Sequence, residues 1–229
     1  MPILPQAAAP QGMVYGVILN DHPSRDLLGA ALSAPPYAAP PKAPVLYIKP
    51  YNTHAANAAA IRLPRGAARV EVAATLGLVL GRDAARLDAA TALDAVAALR
   101  PVLDVSLPNP LVYRPPVRER CFDGSCPMGE PLPRAAVADI GALTLRTLVN
   151  GAVAAERHLS DLLRPPARLL ADVTEFMTLR AGDTLLVGIA LNGPQAGAGD
   201  RVELEIAGEG AGEDVGFDRL TIMLEGDAP

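Results

Sequence analysis

Short apolar runs bounded by proline, glycine or asparagine recur along the chain, and this pattern predicts a protein built mainly of β-strands. The run MVYGVIL at 13–19 has the length of a strand and is followed by Asn-Asp-His-Pro, where proline ends strand pairing. The segment 201–207 alternates between apolar and polar side chains, as a strand with one buried face does. The predicted strands are 13–19, 45–49, 70–80, 102–105, 142–149, 152–157, 183–190, 201–207 and 217–224.

The same pattern predicts helices in two places. Asp88 has the side chain of an N-cap and precedes an alanine-rich stretch that ends near Arg100, which indicates a helix there. The segment 166–178 places apolar side chains at helical spacing, so we expect a helix that packs on a sheet. Its buried face is predicted to contain Leu169, Leu170, Val173, Phe176 and Met177.

A turn signal joins two of the predicted strands. Asn150-Gly151 is the strongest short signal for a β-hairpin, so we expect the strands on either side of it to pair. Elsewhere, the proline-rich segment 34–44 is predicted to be a loop. We expect a single α+β domain over 1–229, built mainly of antiparallel or mixed sheet. The segments 1–11 and 225–229 are predicted to be frayed ends.

The long proline-rich connection at 106–133 is the first place where the residues suggest chemistry, because a loop of this length in a compact domain is usually functional or disordered. It follows Asp104 and contains several arginines, an acidic residue and both cysteines. One interpretation is a pocket, and the alternative is a solvated loop with ordinary surface charge. The charged residues in question are Asp104, Arg114, Arg118, Arg120 and Asp123.

Net charge, the length of apolar runs and the number of cysteines argue against several classes of protein. The net charge of −5 is mild and scattered, so we expect no nucleic-acid partner. No apolar run reaches the ~20 residues needed to cross a bilayer, and the start lacks a signal-peptide pattern, so a cytoplasmic protein is expected. Cys121 and Cys126 are too few for a disulfide framework and have no neighbouring ligands for a cysteine-based metal site.

A series of short fragments occurs in an order that resembles the fumarylacetoacetate hydrolase family over residues 14–222. The stretches 36–42, 104–108 and 123–129 narrow the resemblance to the amino-terminal half, or separate amino-terminal subunit, of the isomerase/decarboxylases of 4-hydroxyphenylacetate (homoprotocatechuate) degradation. The fragments are YIKP at 47–50, LGLVLGR at 76–82, DVS at 104–106, RCFDG at 120–124, VNG at 149–151, SD at 160–161, EFMT at 175–178 and AGD at 181–183.

The resemblance implies a mixed β-sheet roll with a few short helices and a dimeric assembly. It also implies a dicarboxylic 2-oxo acid ligand and a divalent cation, Mg²⁺ or Mn²⁺, held by two Glu and one Asp. Such a hard cation takes oxygen ligands and would stabilise an enolate of the ligand. The two Glu are one residue apart on a strand, so that both face the same side.

Aligned on the fragment at 76–82, this sequence has Ala73 and Thr75 in place of the two Glu, while Asp104 falls on the third ligand. Neither replacement offers a carboxylate, so the resemblance leaves Asp104 as the only matching metal ligand. Glu71 lies one step earlier on the same face, and it would contribute only if the strand shifted by two residues.

Other positions show a similar mixture of losses and retentions. The family's helper His and its Glu partner fall on Ser24 and Leu27, and His22 is out of register. The family's late Gly-Thr-Pro turn reads Gly-Ile-Ala at 188–190, and the family's loop Lys is an arginine, which hardly ever gives up its proton. The pocket candidates that remain are Asn20, Lys49, Arg120 and Asp123.

Three functional hypotheses follow. The first is a subunit of the isomerase/decarboxylase that has a structural or substrate-shaping part, while a homologous subunit holds the metal. The second is a metal-independent enzyme that binds a dicarboxylate through its arginines and Lys49, because arginine suits bidentate carboxylate recognition. The third is a non-catalytic binding module that keeps the scaffold alone. The joint losses favour the first hypothesis, with a homodimer or a pairing with the metal-binding homologue.

Overall fold

The secondary structure comes from a computed structural model that describes residues 12–109, 116–208 and 215–226. The strands are β1 Val14–Ile18, β2 Val45–Lys49, β3 His54–Ala55, β4 Ala60–Arg62, β5 Arg69–Leu80, β6 Val96–Ser106, β7 Cys126–Pro127, β8 Leu132–Pro133, β9 Thr144–Val149, β10 Ala152–His158, β11 Thr184–Leu186, β12 Gln195–Gly197, β13 Arg201–Ala207 and β14 Leu220–Glu225. The α-helices are α1 His22–Leu28, α2 Val117–Arg120 and α3 Pro166–Thr174. Short 3-10 turns occur at Gly29–Ser33, Tyr51–Thr53, Ala92–Ala95, Arg134–Ala136 and Leu159–Asp161.

Mixed β-sheets with few helices make this an α+β fold, as the sequence predicts. Within the described ranges, the largest sheet has the order β2-β1-β11-β5-β6-β8, and β12 also pairs with β5. A second sheet has the order β10-β9-β13-β14-β4, and β3 pairs with β7 separately. The β1–β11 pair is parallel, whereas the long β5–β6 pair is antiparallel.

A buried hydrophobic cluster connects the two large sheets and α3. It contains residues from β5, β6, β9, β13 and α3, represented by Val72, Leu103, Leu145, Leu204 and Leu169. Burial of such side chains is the main source of stability, at roughly 1.5–3 kcal/mol for each fully buried large aliphatic group. Because this core holds the strands in place, it also fixes the positions of the strand ends, which carry the residues of the candidate site.

Several predicted elements are confirmed with small changes at their ends. The predicted strands at 13–19, 45–49, 70–80 and 201–207 correspond to β1, β2, β5 and β13. The predicted hairpin joins β9 and β10, and its turn residues Asn150 and Gly151 both have positive φ, at 54° and 82°. Positive φ at both central positions is the geometry of a type I′ turn.

The predicted helix that follows Asp88 is wrong. Asp88 Oδ1 accepts a hydrogen bond from Ala90 N at 2.8 Å and so closes a tight turn instead of a helix. The chain then forms β6, in which Leu99 pairs with Leu78 and both are fully buried. Burial in the sheet outweighs the helical propensity of alanine, which is at most a few tenths of a kcal/mol per residue over most other residues.

Two further helical details differ from the prediction. The helix at 166–178 ends at Thr174, and Phe176 is 65% exposed instead of buried. β1 ends before Asn-Asp-His-Pro as predicted, but this stretch also starts the helix α1, which was not predicted and in which Asp21 Oδ1 accepts a hydrogen bond from Ser24 N at 2.8 Å. Proline in the first helical turn is compatible with a helix because its missing N–H has no intrahelical partner there.

In their described residues, the two segments predicted to be loops contain only turns, bends and short regular elements. The segment 34–44 forms turns and bends, and the long connection at 106–133 contains α2, β7 and β8. The predicted frayed ends at 1–11 and 225–229 lie outside the described residues except for 225–226, and the prediction is wrong for Glu225, which pairs with Arg62 as the last residue of β14. Among the described helices, none is long and apolar enough to cross a membrane.

Gly16 sets the distance between β1 and an aromatic ring on β2. Gly16 pairs with Tyr47 in the antiparallel β1–β2 register, and a Cβ atom at Gly16 would overlap with the ring atoms of Tyr47. The absence of a side chain at Gly16 therefore allows the ring to lie flat against the strand.

We predict that Gly16→Ala destabilises the protein, because the added methyl group forces either the Tyr47 ring or the strand to move. The free energy of unfolding should fall by about 1–3 kcal/mol, as is typical of overpacking, when it is measured by urea denaturation. Gly226→Ala is the control, since its Cβ would make only an ordinary contact with Ala198. Equal stability of Gly16→Ala and the wild type would contradict this account.

His54 is half-buried next to the backbone of Lys49. Its Nε2 lies 3.0 Å from the backbone oxygen of Lys49, and its Nδ1 is buried without a hydrogen-bond partner among the described residues. Burial lowers the pKa of His54 below its ordinary value of 6.5; the hydrogen bond to the Lys49 backbone partly opposes this effect, and the positive charges of Arg100 and Lys49 add to it.

A lowered pKa for His54 predicts a loss of stability at mildly acidic pH. The unfolded chain binds the proton at a higher pH than the folded chain does, so this contribution is present above pH ~6.5 and is lost as the pH falls below that value. Urea denaturation at about pH 7.5 and pH 5.5 should show a larger pH effect for the wild type than for His54→Gln, which keeps a donor to Lys49. Identical pH slopes in the two proteins would exclude His54 as the source.

Candidate functional site

The candidate site lies where β2, β6 and α2 meet, around the carboxylate of Asp104. Asp104 is fully buried on β6, and its Oδ1 accepts a hydrogen bond from Arg120 Nη1 at 3.0 Å. Lys49 Nζ lies 3.2 Å from the same oxygen. The other oxygen, Oδ2, accepts a hydrogen bond from the Tyr47 hydroxyl at 2.5 Å. Two cations and one phenol therefore surround this carboxylate.

Lys49 is a buried structural cation with no exposed side-chain surface. Its ammonium group also lies within hydrogen-bonding distance of the backbone oxygens of Arg120, Ser125 and Val105, at 2.8, 3.0 and 3.2 Å. These contacts link the segment 120–125 to β6. A buried ammonium group is tolerated only when it is paired and hydrogen-bonded, and Lys49 meets this condition.

Tyr47 supports the guanidinium of Arg120 from one side. The Arg120 Cζ lies 4.9 Å from the centre of the Tyr47 ring, which gives a cation–π contact. Burial raises the pKa of Tyr47 well above its usual range, and Asp104 adds to the effect, so the phenol stays neutral and donates its proton to the carboxylate. Burial alone would lower the pKa of Arg120, but Asp104, Tyr47 and Glu71 together raise it.

A cavity of about 350 Å³ opens next to this cluster and has Arg120 in its wall. The Arg120 side chain is 11% exposed, so the guanidinium reaches the cavity while Asp104 and Lys49 stay behind it. The polar side chains in the wall are Glu71, Ser106, Asn109, Arg120 and Asn192. The apolar part includes Leu27, Leu28, Ala73, Ile189 and Leu191.

Glu71 faces the cavity from β5. In the pairing of β5 with β6, Glu71 lies opposite Ser106 and Ala73 lies opposite Asp104. Burial raises the pKa of Glu71, and the nearby positive charge of Arg120 partly opposes this.

Of the two positions that match the family's Glu ligands, one has no polar side chain and the other is hydrogen-bonded to the backbone. Ala73 has no donor atom, and Thr75 Oγ1 donates a hydrogen bond to the backbone oxygen of Gly188 at 2.6 Å. Among the described residues, no group of three or more His, Cys, Asp or Glu side chains is arranged to hold a metal ion. The oxygen atoms here therefore do not match the three carboxylates that the resemblance implies.

Three of the four predicted pocket residues lie outside the cavity wall: Lys49 is buried behind Arg120, and Asn20 and Asp123 bond elsewhere. Asn20 is buried, and its Nδ2 donates hydrogen bonds to the backbone oxygens of Val187 and Arg164 at 2.8 and 3.1 Å. Asp123 is exposed and accepts a hydrogen bond from Asn52 Nδ2 at 2.8 Å. These contacts tie loops together, and neither side chain lines the cavity.

The positions of the family's helper pair are close to the cavity but carry no acid–base group. Ser24 Oγ accepts a hydrogen bond from the backbone nitrogen of Leu191 at 3.0 Å, and Leu27 lines the cavity. His22 is exposed at the start of α1. Ser24 holds Leu191 in the cavity wall and Leu27 lines the wall directly, and neither Ser24 nor Leu27 has a side-chain proton to exchange near neutral pH.

The remaining sequence candidates that the structure describes, Arg118, Cys121 and Cys126, do not line the cavity. Arg118 is exposed on α2, and Arg114 lies outside the described residues. Cys121 and Cys126 are free cysteines, and burial raises the pKa of Cys126 to about 12, so its thiol stays protonated.

Tyr47 is the functional-site residue that the sequence analysis missed. It lies two residues before Lys49 on β2, and residues two apart on a strand face the same side. This spacing alone could have placed Tyr47 beside Lys49. Asn192 and Asn109 lie in turns or irregular segments, where no periodicity indicates which way a side chain points.

Curated proteins of known name include relatives of this chain. The chain is 38% identical to a 4-hydroxyphenylacetate degradation bifunctional isomerase/decarboxylase from Salmonella dublin over 194 residues, which are 85% of this chain and 44% of the relative. It is 35% identical to the enzyme of the same name from Escherichia coli over 96% of this chain and 46% of the relative. The chain thus spans a little under half the length of these curated relatives.

Solved structures with similar folds include two mycobacterial isomerases. A 5-carboxymethyl-2-hydroxymuconate delta-isomerase from Mycobacterium smegmatis has a TM-score of 0.75 and 25% identity, covering 96% of this chain and 81% of that one. A 2-hydroxyhepta-2,4-diene-1,7-dioate isomerase from Mycobacterium marinum has a TM-score of 0.76 and 25% identity, covering 97% and 78%. Residues 13–215 match the family model described as fumarylacetoacetate (FAA) hydrolase C-terminal, and the chain therefore belongs to the fumarylacetoacetate hydrolase family.

Proposed function

We propose that this chain is a subunit of an isomerase/decarboxylase of 4-hydroxyphenylacetate catabolism and that it does not itself hold the catalytic cation. The assembly would act as a 2-hydroxyhepta-2,4-diene-1,7-dioate isomerase and 5-carboxymethyl-2-oxo-hex-3-ene-1,7-dioate decarboxylase, on a dicarboxylic 2-oxo acid. The Mg²⁺ or Mn²⁺ would be held by a homologous subunit, which would pair with this chain as the two copies of a homodimer do. The names of the relatives at 35–38% identity support the pathway.

The observation that carries the proposal is the state of Asp104. Both of its oxygens have protein partners, with Lys49 and Arg120 on one and Tyr47 on the other. A divalent cation would have to displace a guanidinium or approach two positive charges in a site of low dielectric constant, where like-charge repulsion is strong. Mg²⁺ also needs near-octahedral oxygen ligands, and Ala73 and Thr75 do not supply the missing carboxylates.

A second candidate function is a metal-independent enzyme acting on a 2-oxo dicarboxylate. The observation in its favour is the cavity with Arg120 and Glu71 in its wall. Arginine binds carboxylates in a bidentate manner without a metal, and a half-buried glutamate is a common proton-transfer group.

The purified chain should bind neither Mg²⁺ nor Mn²⁺ tightly in isothermal titration calorimetry, and it should not turn over a 2-oxo dicarboxylate by itself. The homologue with an intact Glu-x-Glu pair is the positive control, and mixing it with this chain tests whether the two associate. Stoichiometric, tight Mn²⁺ binding by this chain alone would overturn the proposal. Turnover by this chain that EDTA leaves unchanged, and that Arg120→Ala abolishes, would favour the metal-independent enzyme.

Asp104→Asn distinguishes a structural carboxylate from a metal ligand. In this chain the substitution leaves two buried cations without their counter-charge, so the free energy of unfolding should fall by about 3–5 kcal/mol. The control is Asp123→Asn, which removes a carboxylate from an exposed loop and should change stability by less than about 0.5 kcal/mol. Denaturation in the presence of EDTA should give the same values for both variants. A stability of Asp104→Asn equal to that of the wild type would contradict the proposed role.

A further inference from the structure

The cavity has two opposite charges in its wall, and this feature is independent of the metal question. Arg120 comes from α2, and Glu71 comes from β5, where it lies opposite Ser106 on β6 and Gln195 on β12. Each charge is close enough to change the pKa of the other, since Glu71 raises the pKa of Arg120 and Arg120 lowers that of Glu71.

Arg120 is fixed before any ligand arrives. Its guanidinium is bonded to Asp104 at 3.0 Å and stacked at 4.9 Å on the Tyr47 ring, and its backbone oxygen is bonded to Lys49 at 2.8 Å. A cation held in this way loses little conformational entropy on binding, which favours a carboxylate ligand.

Glu71 is in a different situation from Asp104. Among the described residues, its carboxylate has no hydrogen-bond or ion-pair partner, although it is half-buried in the cavity wall. A half-buried carboxylate is stabilised by a donor, and a ligand that brings an O–H or N–H group into the cavity would supply one.

The apolar part of the wall accommodates the rest of such a ligand. Leu28, Ile189 and Leu191 line the cavity together with the two charged groups. A ligand of suitable chemistry therefore has a carboxylate, a nearby hydrogen-bond donor and a short aliphatic body.

We propose that this cavity is a binding site for a small carboxylic acid that carries a hydroxyl or ammonium group next to its carboxylate. The carboxylate contacts Arg120, the donor contacts Glu71, and the aliphatic part lies against the leucine and isoleucine side chains. The site needs neither a metal ion nor the partner subunit proposed above, so the two proposals can fail separately.

A series of ligands on one carbon skeleton tests the proposal directly. The four probes are 4-methylpentanoate, 2-hydroxy-4-methylpentanoate, leucine and 4-methyl-2-oxopentanoate, titrated against the full chain by ligand-observed NMR in the presence of EDTA. The hydroxy acid or leucine should bind about tenfold more tightly than the plain acid, because each adds a hydrogen bond to a charged group. The oxo acid adds only an acceptor and should gain nothing over the plain acid.

The order of the probes' affinities shows whether the hydrogen-bond donor of the ligand is a hydroxyl or an ammonium group. Tighter binding of 2-hydroxy-4-methylpentanoate supports a hydroxy acid, and tighter binding of leucine supports an amino acid. Equal binding of all four probes, tightest binding of the oxo acid, or no saturable binding of any probe would overturn the proposal. Leucine amide lacks the carboxylate, and binding as tight as that of leucine would also overturn it.

Substitutions of Glu71 and Arg120 test which side chain contacts the donor and which contacts the carboxylate of the ligand. Glu71→Ala should reduce the advantage of the donor-bearing probes to within about twofold, while the plain acid binds as before or slightly better. Arg120→Gln should weaken every acid by about tenfold or more. Glu130→Ala removes an exposed glutamate that does not line the cavity and should leave the series unchanged. Glu71→Ala with an unchanged donor advantage would overturn the role of Glu71 even if Arg120→Gln fails to fold.

Discussion

The arrangement around the site depends on the buried carboxylate of Asp104 and the two cations that pair with it. Lys49 comes from β2 and Arg120 from α2, so one carboxylate on β6 connects three separate elements of the fold. Each of these charges would be costly to bury alone, whereas the group is tolerated because its members are paired and hydrogen-bonded. The position of Arg120 in the cavity wall is a consequence of this pairing.

The same arrangement supports the proposal that this chain holds no metal ion at Asp104. Where the resemblance implies three carboxylates around a cation, the chain has one carboxylate and two protein cations. Under this proposal, the side chains of Lys49 and Arg120 supply the positive charge beside Asp104 that Mg²⁺ or Mn²⁺ would otherwise supply. Tyr47 completes the set as a neutral donor, and Gly16 gives its ring the space it needs.

The sequence predicted those elements whose pattern is local. A period of two identified β13, and the Asn-Gly turn identified the β9–β10 hairpin. The error after Asp88 arose because alanine is compatible with a helix and with a buried strand, and only pairing with the distant strand β5 decides between them. The short helix α1 was missed because its N-cap also reads as a strand end.

Most of the site could not be predicted for a related reason. The retention of Lys49 and Asp104 was visible in the sequence, but nothing local indicates that both Lys49 and Arg120 approach the same oxygen. A crystal structure of the chain grown with excess Mn²⁺, with anomalous differences collected for manganese, tests this account most directly. The account predicts no anomalous peak at Asp104, with Lys49 and Arg120 still on its Oδ1. A peak bonded to the Asp104 carboxylate, with either cation displaced, would contradict it.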